Sequence, residues 1–179
     1  MSTDELASRL YDRPRLGPAL MFVAAAAMLA GAWGFQLIGG LQPCALCLYQ
    51  RWPYWIVVAI AGASVLVARR LGPRGLAGVA GACALVFAAG AGIAGFHVGV
   101  EQGWWEGLAA CGGGGGDLND PNLSIEELKA RLFATEIVRC DEVPWSLFGI
   151  SLAGYNFLAS LAFAAASLWA ARAIWRKTA

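Results

Sequence analysis

Five cysteines carry most of the chemistry available to this sequence: Cys44, Cys47, Cys83, Cys111 and Cys140. Cys44-Ala45-Leu46-Cys47 is a C-x-x-C pair. That spacing brings one sulfur within reach of the other and suits a thiolate whose pKa is lowered by nearby positive charge. Arg51 follows Cys47 by four residues, one turn along a helix, so its guanidinium can approach that sulfur. Its plainer reading is a side chain snorkelling at a membrane interface. Cys44, Cys47, Cys111 and Cys140 together also offer four thiolates for zinc, but the second pair lacks the short spacing of such sites, and no metal is expected. Covalent c-type haem is disfavoured because Leu48, not His, follows Cys47.

Cys111 and Cys140 enclose 28 residues. A disulfide between them would restrain a long loop by limiting the unfolded chain. The five glycines Gly112–Gly116 directly after Cys111 are poorly suited to holding one rigid geometry. They suit a cysteine that swings between partners, as thiol–disulfide exchange requires, so a redox relay is favoured over a staple. The only histidine, His97, reads either as an interfacial polar residue or, at the depth of Arg51, as a contact for the polar head of a lipid-soluble ligand. Cys83, among Ala and Gly, reads as an inert small apolar residue.

The elements that must position these residues follow from where charge is missing. The 179 residues are 59% hydrophobic and 14% charged, with a net charge of +1, which excludes a nucleic-acid binder, a disordered chain and a coiled coil. Charge-free runs cover Leu16–Gln50, Trp52–Ala68, Gly75–Val100 and Val143–Ala171, of 35, 17, 26 and 29 residues. A spanning helix needs about 20. The expectation is an all-α membrane protein, one domain over 1–179, built as a bundle of four transmembrane helices near 18–38, 53–68, 76–97 and 145–171. The second is short and can start earlier, near Tyr49 or Arg51, because Pro53 is tolerated in a first turn. A cleaved signal peptide is disfavoured by the length of the first apolar run and by the three spans after it.

Nine Lys and Arg fall in the N-terminal tail, the Arg69–Arg74 connection and the C-terminus, against four in the other segments. This bias puts both termini in the cytoplasm, with Gly39–Arg51 and a long loop over 101–144 outside. All the cysteines except Cys83 are then on the outer side, where disulfides form and persist. Within the loop, Ser124 and Glu127 form a capping box, and Ile125, Leu128 and Leu132 continue at helical spacing. That short helix reads equally as a membrane-surface helix or an ordinary loop helix. The tryptophans cluster near the span ends as an aromatic belt.

Three segments resemble the DsbB family of bacterial disulfide-bond formation proteins. They are Gln42-Pro43-Cys44-Ala45-Leu46-Cys47-Leu48-Tyr49-Gln50-Arg51, then His97-Val98-Gly99-Val100-Glu101 with Trp104 or Trp105 before Cys111, and then Cys140-Asp141 with Trp145, Phe148-Gly149 and Ser151-Leu152-Ala153-Gly154-Tyr155-Asn156. The resemblance implies a four-helix bundle in the bacterial inner membrane that reoxidises a periplasmic DsbA-like, thioredoxin-fold oxidase and passes electrons to the quinone pool, as ubiquinone or menaquinone. By position, Cys111 would form the mixed disulfide with the partner and Cys140 would be its loop partner. Cys44 would exchange with the loop pair and Cys47 would face the quinone. Arg51 would polarise the quinone and stabilise the Cys47 thiolate, with His97 a secondary quinone-site residue. The five-glycine run and Cys83 depart from the pattern.

Two other readings compete. A vitamin K epoxide reductase-like enzyme is also a four-helix, quinone-linked thiol oxidoreductase, but there the loop cysteines precede the C-x-x-C, whereas here Cys44 and Cys47 come first. A non-catalytic scaffold with structural cysteines leaves the C-x-x-C beside Arg51, and the glycine hinge, without a purpose.

Overall fold

A computed structural model of the chain describes residues 5, 8, 9, 12, 13, 15–108, 111, 124 and 138–177. The glycine run Gly112–Gly116 and the loop helix expected after Ser124 lie outside them. Helix α1 spans Leu16–Leu37, a one-turn α2 spans Ala45–Tyr49 and α3 runs over Arg51–Glu101. A two-stranded hairpin, β1 Ser146–Leu147 and β2 Ile150–Ser151, leads directly into α4, Leu152–Arg176.

Helix α3 is two limbs. Gly72 breaks it with φ 62° and ψ 173°, a conformation that is essentially glycine's alone. Pro73 follows, where its fixed φ suits the first turn of the next limb. The limbs then run antiparallel. A Cβ placed on Gly90 would stand 3.2 Å from Pro53 Cβ, so glycine permits the closest approach of the two limbs. The Tyr54 and Phe87 rings meet edge to face, and at the turn Ala68 packs with Leu76 and Ala77. With α1 and α4, four helical limbs lie side by side, matching the four charge-free runs in number. Met21, Ala25, Leu29, Val57, Ala61, Cys83 and Phe87 fill the space between them.

Among the described residues, three helices are long and apolar enough to cross a membrane: α1, α4 and the merged stretch Ala45–Glu101 that contains both limbs. Leu20, Val23, Leu66, Leu85 and Leu158 point outward from them. Lipid tolerates such a surface, and helices satisfy their own backbone inside it. This is a multi-pass membrane protein.

The helix ends differ from the sequence expectation in two places. The third span continues past His97 to Glu101, while the second begins at Arg51, one of the earlier starts the sequence allows. The fourth begins at Leu152, not at 145. Phe148 and Gly149 have φ of 51° and 77°, the pair of positive angles a two-residue hairpin turn requires. Ser151 then caps α4, its Oγ accepting from Gly154 N at 3.0 Å. Hydropathy does not register either feature.

Candidate active site

Cys44 is the N-cap of α2, in extended conformation, and its sulfur accepts from the Cys47 backbone N–H at 3.3 Å. An N-cap side chain reaches toward the third residue of its helix. The C-x-x-C spacing therefore sets the two cysteines face to face, with sulfurs 2.8 Å apart as free thiols. Cys111 and Cys140 are joined by a disulfide. All four cysteines belong to one cluster, with Cys44, Cys111 and Cys140 buried beside Leu46 and Val100 and Cys47 packed against them.

His97, on the second limb of α3 and 3% exposed, stands between the pairs. Its Nε2 lies 3.7 Å from Cys44 Sγ and 3.2 Å from the Cys140 main-chain carbonyl. Its Nδ1 lies 2.7 Å from Gln50 Nε2. Glu101, one turn further on, brings Oε1 to 4.0 Å from His97 Nε2, while its Oε2 accepts from Ser151 Oγ at 2.5 Å. A second polar line crosses to α4, where Gln50 Oε1 meets Asn156 and Tyr54 OH reaches both Asn156 and Ser160.

Of the two sulfurs, Cys44 is the one whose pKa is lowered. A hydrogen bond from the Cys47 thiol holds its pKa down to about 4; burial opposes this, and the His97 contact adds to the lowering. The sulfur that sequence spacing paired with Arg51 thus lies in the same cluster but shares its proton with Cys44. Arg51 itself places its guanidinium 5.3 Å from the centre of the Trp33 ring, and among the described residues no hydrogen bond joins it to a sulfur. Cys83 is fully buried in the core between the limbs.

Cys47 and Arg51 do share a cavity of about 260 Å³, lined also by Gln36, Gln50, His97 and Asn156, with apolar walls from α1 and α4. Gln36 Oε1 is buried there with no hydrogen-bond partner among the described residues. A buried polar atom without a partner costs free energy unless a ligand meets it. A guanidinium donor and an amide acceptor beside an apolar slot suit a flat ring that carries oxygens at its edges and hydroxyls once reduced. Cys44, Cys47 and His97 also place their ligand atoms within 4.8 Å of one another, a trio of types that bind soft metal ions.

The structure brings together all six residues singled out from the sequence. It adds Gln36, Gln50, Tyr54, Glu101, Ser151, Asn156 and Ser160, none of which had been given a role. The available signal was polarity inside apolar runs: Asn156 and Ser160 are one turn apart on one face of the fourth span, where polar side chains are costly.

The chain matches the family model "Disulfide bond formation protein DsbB" over residues 14–170. It is similar to a disulfide bond formation protein B of Nitrosococcus oceani, 33% identical over 152 residues, or 84% of this chain and 86% of the relative. The protein of that name from Methylococcus capsulatus is 35% identical over 153 residues, 83% and 88% of the two chains. That of Xanthomonas campestris is 32% identical over 154 residues, 84% of each. No solved structure matches the chain. A family match of this extent, with relatives about one-third identical over most of their length, makes the chain a member of the DsbB family of disulfide bond formation proteins.

Proposed function

We propose that the protein reoxidises a soluble periplasmic thiol oxidase of the DsbA type and passes the electron pair through Cys111–Cys140 and then Cys44–Cys47 to a membrane quinone. The observation that carries this reading is the packing of both cysteine pairs into one buried cluster against a cavity that Cys47 lines. The excess of Lys and Arg in the tails and the Arg69–Arg74 turn orients that cluster to the periplasmic face of the inner membrane.

The exchanges balance without any other reagent. A partner thiolate attacks Cys111 and displaces Cys140 as thiolate; the partner's second thiolate then resolves the mixed disulfide, leaving both loop cysteines reduced. One loop thiolate attacks Cys44 of the oxidised C-x-x-C and displaces Cys47. The other loop sulfur closes the loop disulfide again and leaves Cys44 and Cys47 as thiols. That final pattern, a loop disulfide beside two free thiols, is the one in the structure. Cys111 is only 6% exposed, so a soluble partner meets it after the loop lifts from the cluster.

DsbA-type oxidases have potentials near −120 mV, so emptying their dithiol requires a strong acceptor. A bound quinone supplies one, taking up two electrons and two protons. Arg51 is the residue that would donate to a quinone oxygen, Gln36 Oε1 would accept from the hydroxyl of the reduced ring, and the apolar walls exclude water from Cys47. The test is anaerobic: purified protein in detergent, a reduced DsbA-type donor, and soluble ubiquinone and menaquinone analogues as acceptors, followed by quinone absorbance. Stoichiometric quinone reduction, lost in Cys44→Ser and Cys47→Ser, is expected. No reduction of either analogue by folded protein would overturn the relay.

A further inference from the structure

His97 Nδ1 meets Gln50 Nε2, and Gln50 Oε1 meets Asn156 Nδ2 at 2.5 Å. Asn156 Oδ1 accepts from Tyr54 OH at 2.5 Å, and the Tyr54 oxygen lies 2.8 Å from Ser160 Oγ. Gln50, Tyr54, His97 and Ser160 are all buried, so each polar atom needs a partner of the opposite kind. An amide or an imidazole could in principle be turned either way, and the network decides which way it faces.

Two main-chain carbonyls settle the direction, because a carbonyl only accepts. Leu46 O lies 3.3 Å from the Gln50 terminal nitrogen, which is therefore the NH₂ end. Cys140 O lies 3.2 Å from His97 Nε2, which is therefore N–H. Each carbonyl leads independently to the same polarity: Gln50 donates to an unprotonated Nδ1, and the ring proton sits on Nε2. Further along, Gln50 Oε1 must accept from Asn156, Asn156 Oδ1 from Tyr54, and the Tyr54 oxygen from Ser160. Every group then has one role, from α4 to the cysteines.

We propose that Gln50 is a positioning residue for His97: locked from α4 through Asn156, Tyr54 and Ser160, it holds the neutral imidazole as the Nε2–H tautomer, a fixed donor to the Cys44 sulfur and to the Cys140 carbonyl. The tautomer puts a hydrogen-bond donor beside the Cys44 thiolate and ties the backbone of the loop pair to the same ring. It also takes the Nε2 lone pair away from the Cys44–Cys47–His97 trio, which in this arrangement is not a metal site. The inference deepens the relay proposed above and rests on it only for its consequence, since the tautomer itself is read without quinone or partner.

His97 is the only histidine, so ¹⁵N-histidine labelling of the full chain, purified through a tag without histidine, gives one pair of ring nitrogen signals. With the ring neutral, the wild type is expected to show an unprotonated Nδ1 and a protonated Nε2. Gln50→Glu, which presents only acceptors to the ring, is expected to move the proton onto Nδ1. Tyr54→Phe, two hydrogen bonds away from Gln50, is expected to give a mixture of tautomers. Protonated Nδ1 in the wild type, or a ring that stays doubly protonated throughout the accessible pH range, would overturn the proposal even if no variant folds. Unchanged nitrogen shifts in folded Gln50→Glu would overturn it too. In a single turnover, Gln50→Met should slow transfer between the two cysteine pairs about tenfold, the loss of one hydrogen bond to a charged sulfur. An unaltered rate would remove the positioning role.

Discussion

His97 Nε2 lies 3.2 Å from the main-chain oxygen of Cys140 and 3.7 Å from the sulfur of Cys44, so one imidazole touches both cysteine pairs of the protein. The contact to Cys140 goes to backbone, so it does not use the sulfur itself. The loop pair is thereby held at the C-x-x-C without a covalent tie, which suits the proposed relay, in which the two pairs meet and part.

The position of the charge on the reduced pair sets a pH dependence. The folded-state pKa of Cys44, about 4, lies below its ordinary 9.0. A depressed acid stabilises the fold fully above the unfolded value, and the contribution declines as pH falls, vanishing below about 4. The thermal midpoint of the reduced protein should therefore exceed that of reduced Cys44→Ser by most near pH 9 and converge with it toward pH 4. Ultraviolet thiolate absorbance, present at pH 6 in the wild type and absent in Cys44→Ser, checks the assignment. Absorbance that appears only above pH 8 would place the charge elsewhere.

Gln36 and Arg51 line the cavity with Cys47, and Gln36 Oε1 has no partner there. Arg51→His should raise the KM for a quinone analogue by roughly tenfold, the value of one hydrogen bond to a ligand, while Gln36→Leu, which removes an acceptor that only the quinol hydroxyl can meet, should weaken product inhibition by the quinol instead; the thermal midpoint should hold in both. An Arg51 variant with wild-type quinone kinetics would remove that residue from the site.

Cys111→Ser should abolish oxidation of the soluble partner while leaving quinone reduction by a small dithiol intact, because only the loop step is lost. Continued oxidation of the partner would refute Cys111 as the attacked sulfur. Cys83→Ala, in the packed core and away from the cluster, should leave turnover unaltered and cost at most about 1 kcal/mol.

Gly72→Ala forces a side chain into φ 62°, ψ 173°, and should destabilise the protein by about 1–3 kcal/mol without changing activity per folded molecule. Gly78→Ala, on the helical limb after it and with open space around the added carbon, is the control and should be neutral or slightly stabilising. Denaturation of both in the same detergent makes the comparison; equal stabilities would mean the turn tolerates other backbone angles.

Ser151 both caps α4 and donates to Glu101. Ser151→Ala should cost about 1–3 kcal/mol, from the lost cap and from a buried carboxylate oxygen left short of a donor. Ser151→Thr keeps the hydroxyl and should restore most of it.

Much of this protein was legible in the chain itself. Runs without charge mark the helical limbs because the hydrocarbon core penalises every ion, and the basic Arg69–Arg74 stretch marks the connection between two of them, though not the Gly72 break that makes the turn. The C-x-x-C declares its own geometry, since an N-cap and the third residue of its helix always face each other. Cys83, expected among small apolar neighbours, is fully buried in the core. What hydropathy could not locate was the start of α4, because Trp145–Ser151 is as free of charge as the helix it precedes, and the hairpin depends on two backbone angles.

The buried polar line was out of reach for a different reason. Ser160, Tyr54, Asn156, Gln50 and His97 lie on three helical limbs and up to 110 residues apart in sequence. Nothing local ties a glutamine at position 50 to an asparagine at 156 or to a histidine at 97. Only packing the limbs together brings them within hydrogen-bond distance, and only two main-chain carbonyls, at Leu46 and Cys140, decide which way the protons point. Sequence determined which residues are available for redox chemistry and that the chain around them is apolar enough to cross a membrane. The tertiary structure decided which sulfur collects the hydrogen bonds that lower its pKa and which nitrogen of His97 faces it, because hydrogen-bond direction is a property of atoms in contact.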